Sequence, residues 1–140
     1  MSINDVLDRS DISDIVERFY ANTLKDPVVG FLFTDVAKID LDHHLPIIVN
    51  FWADIVLSEN SYHGNPLSKH QEIHTKVPLR AGHFTRWLYL FNKAVDEKHQ
   101  GENAQLMKKR AEGVAKSIAA SLTKGKRSGL NLVLKDSASK

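Results

Sequence analysis

Apolar residues return at intervals of three and four along most of this chain, the spacing of amphipathic helices. Ile12, Ile15, Val16, Phe19 and Leu24 form one such stripe, predicting a helix that Asp11 caps. Tyr20, four residues after Val16, shares its face. Pro27 and Gly30 stop this helix, and Gly30-Phe31-Leu32-Phe33 predicts a short apolar corner. A wider stripe of Leu41, Leu45, Ile48, Phe51, Trp52, Ile55 and Val56 predicts a second helix starting at Asp40 or Asp42. Proline is tolerated in a helix's first turn or at a kink, so Pro46 favours the start at Asp42. His44 then falls on the first turn, at the edge of the apolar stripe, and His43 points to solvent.

A polar loop over 58–65 leads to Asn65-Pro66, a pairing that starts helices. Asparagine caps free N–H groups, and proline loses nothing at the first helical position. His70 stands one turn in and His74 one turn further. After a break at Pro78 and Gly82, Phe84, Trp87, Leu88, Phe91 and Val95 predict a helix running to about Lys98, ended by Gln100-Gly101. Asn103 is the expected cap of the last helix, which buries Met107, Ala111, Val114, Ile118 and Leu122 and closes at Lys124–Arg127. The fold class expected is all-α. The expected domain covers 1–127, with 128–140 a flexible extension carrying one apolar patch, Leu130–Leu134.

Composition narrows the picture mainly by exclusion. A chain of 140 residues is long enough to bury one core unaided. Without cysteine there is no disulfide framework, thiol catalysis or thiolate-bound metal. Five of the 19 basic residues but one of the 17 acidic ones lie in 124–140, so the body is slightly acidic and the tail basic. That is not the clustered basic face of a nucleic-acid binder. No stretch is long and apolar enough for a membrane span, and the opening MSINDVLDRSDI lacks the signature of a signal peptide; a cytoplasmic protein is expected.

Seven histidines invite metal chemistry. His70 and His74 share one helix face at a spacing that can chelate zinc, but Gln71 stands where a zinc protease has its glutamate, and no third ligand is evident. A di-iron bundle needs repeated Glu-x-x-His, and the nearest match, Asp40-x-x-His43, is single. Neither a glycine-rich phosphate loop nor a serine nucleophile beside a base is found. Haem suits the residue types better: an apolar slot, one neutral imidazole for the iron and a few donors on the open side. On spacing alone His70 and His74 are equal candidates for the iron, and either also reads as an ordinary packed histidine. Tyr20, Trp87 and His44 are the candidate polar tips, although a buried tyrosine more commonly meets an ordinary acceptor.

The ordered set Phe19-Tyr20, Gly30–Phe33, His44 with Ile48 and Asn50-Phe51-Trp52, Tyr62-His63-Gly64-Asn65-Pro66-Leu67-Ser68-Lys69-His70, and His83-Phe84-Thr85-Arg86-Trp87-Leu88 resembles the truncated haemoglobins of group III. The resemblance runs from Asp11 to Leu122. It implies a globin-like two-over-two sandwich of helices around haem b. His70 matches the proximal iron ligand, because it closes the Tyr-x-Gly-x-Pro run. Tyr20 matches the distal tyrosine, Trp87 the pocket tryptophan and His44 the distal histidine. Phe33 matches the phenylalanine on the porphyrin face, and Phe19, Ile48 and Trp52 match wall positions. His74 has no matching role and is left to pack or to meet a haem propionate. Pro46 departs from the pattern and puts the placement of His44 in question.

The function implied is binding of O2, NO or another diatomic at iron trans to His70. Redox chemistry on O2, NO or peroxide would then draw on an external reductase. A sensor or carrier without turnover is the alternative, and a haem-free helical interaction module is the third reading.

Overall fold

The computed structural model describes residues 4–60, 62 and 79–128. They form four α-helices, α1 (Arg9–Thr23), α2 (Leu41–Leu57), α3 (Ala81–Asp96) and α4 (Glu102–Ser128), with a π-helical turn, Leu32–Val36, between α1 and α2. Helix α1 packs on α2 and α3, and α4 packs on α3 and α2. Two helix pairs are thereby laid one over the other, as expected of an all-α globin-like sandwich. Among the described residues the β-type pairing is a single bridge between Asn4 and His99. The helix expected after Asn65, with His70 and His74, and the extension after 128 lie outside the described residues.

The stripes predicted from spacing face inward. Ile12, Ile15, Val16 and Phe19 of α1 share one buried cluster with Trp52 and Ala53 of α2, Phe91, Ala94 and Val95 of α3, and Met107 and Ala111 of α4. Each large aliphatic side chain taken fully from water contributes roughly 1.5–3 kcal/mol. No other force in a helical fold of this size is as large, so the stripes decide which faces meet.

Two caps differ from expectation. Helix α1 begins one turn earlier than Asp11: its cap is Asp8, whose carboxylate accepts from the Asp11 N–H at 3.0 Å. Asp11 in turn accepts from the Leu7 N–H at 2.9 Å. At α4, Asn103 does not act as the cap. The carboxylate of Asp5, 98 residues away in sequence, accepts from the N–H groups of Asn103 and Ala104, both at 2.9 Å. Asn103 instead donates its side-chain amide to the Val6 carbonyl. Glycine is required at 101, where φ is +147° and a Cβ would stand 2.5 Å from the Asp5 carboxyl carbon.

Helix α2 starts at Leu41, one residue before Asp42, with Asp40, the other expected start, as its cap; the Asp40 carboxylate accepts from the Asp42 N–H at 3.1 Å. Pro46 is thus the sixth helical residue. At that position it withholds a single N–H, the one that would reach the Asp42 carbonyl, and the helix continues to Leu57. His44 does not swing out, as its contacts below show.

Candidate functional site

The corner between α1 and α2 is where backbone geometry departs most from the regular helix. Gly30 packs so closely on the end of α1 that a Cβ there would meet the Leu24 carbonyl oxygen at 2.7 Å. Beyond it the chain widens into the π turn, with the Ala37 N–H reaching the Leu32 carbonyl at 2.8 Å. This single wide turn presents Leu32 and Phe33 towards α3 and α4.

Asp26 holds that corner to α3. Its buried carboxylate accepts from the backbone N–H groups of Val28 and Val29 and from the Arg86 guanidinium, with Nε at 2.8 Å. The Arg86 hydrogen bond, helped by the two backbone donors, outweighs burial and holds the Asp26 carboxyl below its ordinary range. Arg86 also lies over the Tyr89 ring, 5.1 Å from its centre.

A cleft opens between these elements. The corner contributes Val29, Leu32 and Phe33; Leu79 and the first half of α3 contribute His83, Phe84 and Trp87; α4 contributes Val114, Ala115 and Ile118. Eight of these ten side chains are purely hydrocarbon, leaving His83 and Trp87 as the residues that carry an N–H. Of the pocket residues expected from sequence, Phe33 and Trp87 are in its walls.

The others lie directly behind those walls. The Tyr20 ring packs edge-on against Phe33 at 5.8 Å and against Phe19 at 4.9 Å, and Phe19 meets Trp87 at 6.0 Å. Trp87 stacks on Phe91, and Phe91 stacks on Trp52, giving a three-ring column from the cleft into the core. Ile48 packs on the same core from α2. His44, half-buried on the first turn of α2, reaches across to Tyr20: its Nε2 and the Tyr20 hydroxyl are hydrogen-bonded at 2.7 Å. Burial pushes the Tyr20 phenol well above its ordinary value, so it keeps its proton.

Six of the seven expected pocket residues within the described part therefore form one continuous aromatic and imidazole cluster, joined through Phe19, Tyr20 and Phe91, with Ile48 on its edge. His83, Phe84 and Leu79 are additional cleft residues to which sequence reasoning assigned no role. The signal was present, because Leu79, His83 and Trp87 recur at intervals of four. A stripe that lines a cleft and one that packs a core are the same pattern, and only the neighbouring helices distinguish them.

No protein-family model matches the chain. A curated relative, a group III truncated haemoglobin from Campylobacter jejuni, is 28% identical over 114 residues, covering 79% of this chain and 87% of that protein. The crystal structure of group III truncated haemoglobin from Campylobacter jejuni superposes with a TM-score of 0.75 at 27% identity, over 86% of this chain and 95% of the other. The fold is that of a truncated globin. Likeness in sequence and likeness in backbone point to one group, and each covers most of both chains. The group III resemblance read from the ordered motifs is thus met independently by both comparisons.

Proposed function

We propose that this chain is a globin-type haem protein that holds haem b beside the cleft between the corner, α3 and α4. It takes O2, NO or another diatomic next to Tyr20, His44 and Trp87. The observation that carries this reading is the apolar cleft with Phe33 and Trp87 in its walls, backed by a part-buried tyrosine–histidine pair, in a truncated-globin fold. The wall chemistry fits the group: a porphyrin face needs hydrocarbon and aromatic surface with few polar interruptions. His70, which closes the Tyr62–His70 run, is the residue assigned to the iron, and His74 is left as its neighbour.

Bound haem would supply an iron that takes diatomic ligands and exchanges electrons with them. The chain's part is to place donors and protons. A neutral Tyr20 has one hydroxyl hydrogen, and His44 decides where it points. When His44 Nε2 is bare, the phenol donates to it and is withdrawn from a ligand. When Nε2 carries hydrogen, it donates to the phenol oxygen, and the Tyr20 hydrogen turns free to a ligand. Trp87, whose indole is a donor only, adds a second N–H from the cleft wall. Donors aimed at a polarised diatomic slow its release. Slow release suits redox chemistry on O2, NO or peroxide, fed by an external reductase, better than bulk transport.

The test is spectroscopic. The protein loaded with haemin should show a Soret band that His70→Ala abolishes and His74→Ala keeps. A colourless protein that takes up no haemin would remove the haem reading, leaving a helical interaction module. Mixing the oxygenated form with NO in the presence of a reductase separates turnover from simple carriage.

A further inference from the structure

We propose that His83 is a positioning residue that donates its Nε2–H to a carboxylate on the edge of the group held in the cleft. The inference rests on the haem reading above, haem being a flat apolar ring with two propionate carboxylates on one edge. The imidazole of His83 lines the cleft. It is held there from two sides: the Phe31 ring packs edge-on at 6.4 Å, and Nδ1 accepts the backbone N–H of Arg80 at 3.0 Å.

That second contact assigns the ring's hydrogen. A nitrogen that accepts an N–H presents its lone pair, so a neutral imidazole tied at Nδ1 carries its hydrogen on Nε2. Two consequences follow. His83 is not an axial ligand in this arrangement: ligation through Nε2 would move the hydrogen to Nδ1, where it would oppose the Arg80 N–H. The Nε2–H, with no partner among the described residues, is instead a fixed donor on a surface whose other N–H is that of Trp87. Trp87 is half-buried as well, but its ring is stacked into the core column on Phe91, whereas His83 stands beside exposed Arg80. A flat ring entering this cleft leaves its charged edge towards water, and exposed Arg80, the cap of α3, carries a cation three residues from the donor. Carboxylates bound by a charge-assisted hydrogen bond are held more firmly than by water alone.

The experiment measures loss of haemin from the ferric protein to an excess of apomyoglobin, for wild type, His83→Glu and His83→Gln. Glutamate or glutamine three residues after a helix cap accepts the cap's N–H, so both substitutions preserve the bond to Arg80 and the start of α3. His83→Glu removes the donor and adds a charge; it should lose haemin about tenfold faster or more, with an unchanged Soret position. His83→Gln can accept from Arg80 and still donate, and should fall between the two. Loading the proteins with haemin dimethyl ester, which has no carboxylate, should close most of the gap between wild type and His83→Glu. Equal loss rates for all three proteins overturn the assignment, as does a gap of the same size with the ester. Wild type that binds no haemin at all overturns the haem reading itself, a failure visible before any variant is made.

Discussion

Tyr20 and His44 illustrate how little of a site's chemistry belongs to one residue. Twenty-four positions apart, they share one hydrogen bond, and its direction decides whether the phenol is available to a ligand. Tyr20→Phe is expected to speed O2 dissociation from the haem-loaded protein by about tenfold or more, the worth of one donor to a partly charged acceptor. Stopped-flow ligand displacement measures it, and an unchanged rate removes Tyr20 from the donor set. Gly101 shows the same dependence on a distant partner for stability. Gly101→Ala forces a Cβ onto the Asp5 carboxyl group at a backbone angle that disfavours it, and should cost about 1–3 kcal/mol in chemical denaturation. The types Tyr, His and Trp were legible as candidates from the chain, because few residues combine an apolar body with a donor. Their partners were not, since a hydrogen bond across two helices leaves no mark on local spacing.

At the level of elements, stripes and most ends were read correctly, and the caps of α1 and α4 were not. Helix α4 takes its cap from Asp5, and no rule of neighbouring residues finds a carboxylate 98 positions away. Asp5→Ala should destabilise the fold by about 1–2 kcal/mol. The Asp26–Arg86 pair ties the corner to α3 in the same non-local way. Both carboxylates have folded-state values below the ordinary one: Asp26 through Arg86 first, and Asp5 because three backbone N–H groups outweigh its burial. A depressed folded value contributes stability that is fully present above the ordinary carboxylate range, about pH 4, and is lost as pH falls through the folded value. Asp26→Asn should therefore cost about 1–3 kcal/mol at neutral pH and less in acid, flattening the acid limb of stability against pH. A parallel displacement of the whole curve, unchanged in slope, would show that the charge of Asp26 is not what matters. Pro46 belongs at this scale too: read as a signal for a later start, it is instead accommodated within α2 by the loss of one backbone bond.

For the whole molecule, the four helices close a core, and the cleft lies where the corner, α3 and α4 meet. A ligand that binds only the folded state stabilises it by mass action, about 2.7 kcal/mol at a free concentration one hundred times Kd. Haemin at that excess should raise Tm by roughly 5–10 °C for a domain of this size. An unmoved melting curve would contradict the proposed function.

The sequence by itself determined the all-α class, the faces that turn inward and the group III resemblance, because each is written in the spacing of residue types along one strand of chain. Hydrophobic burial is non-directional, so the stripe alone suffices to say which face is covered. It is silent on what covers it. The tertiary structure decided that Asp5 caps α4, that Asp26 anchors the corner through Arg86, that His44 meets Tyr20, and that His83 lines a cleft with one nitrogen already taken. The first three are hydrogen bonds, short-ranged and directional, and they exist only once packing has brought distant segments to within about 3 Å of one another; the His83 bond is local, and what packing supplies there is the cleft that the ring lines.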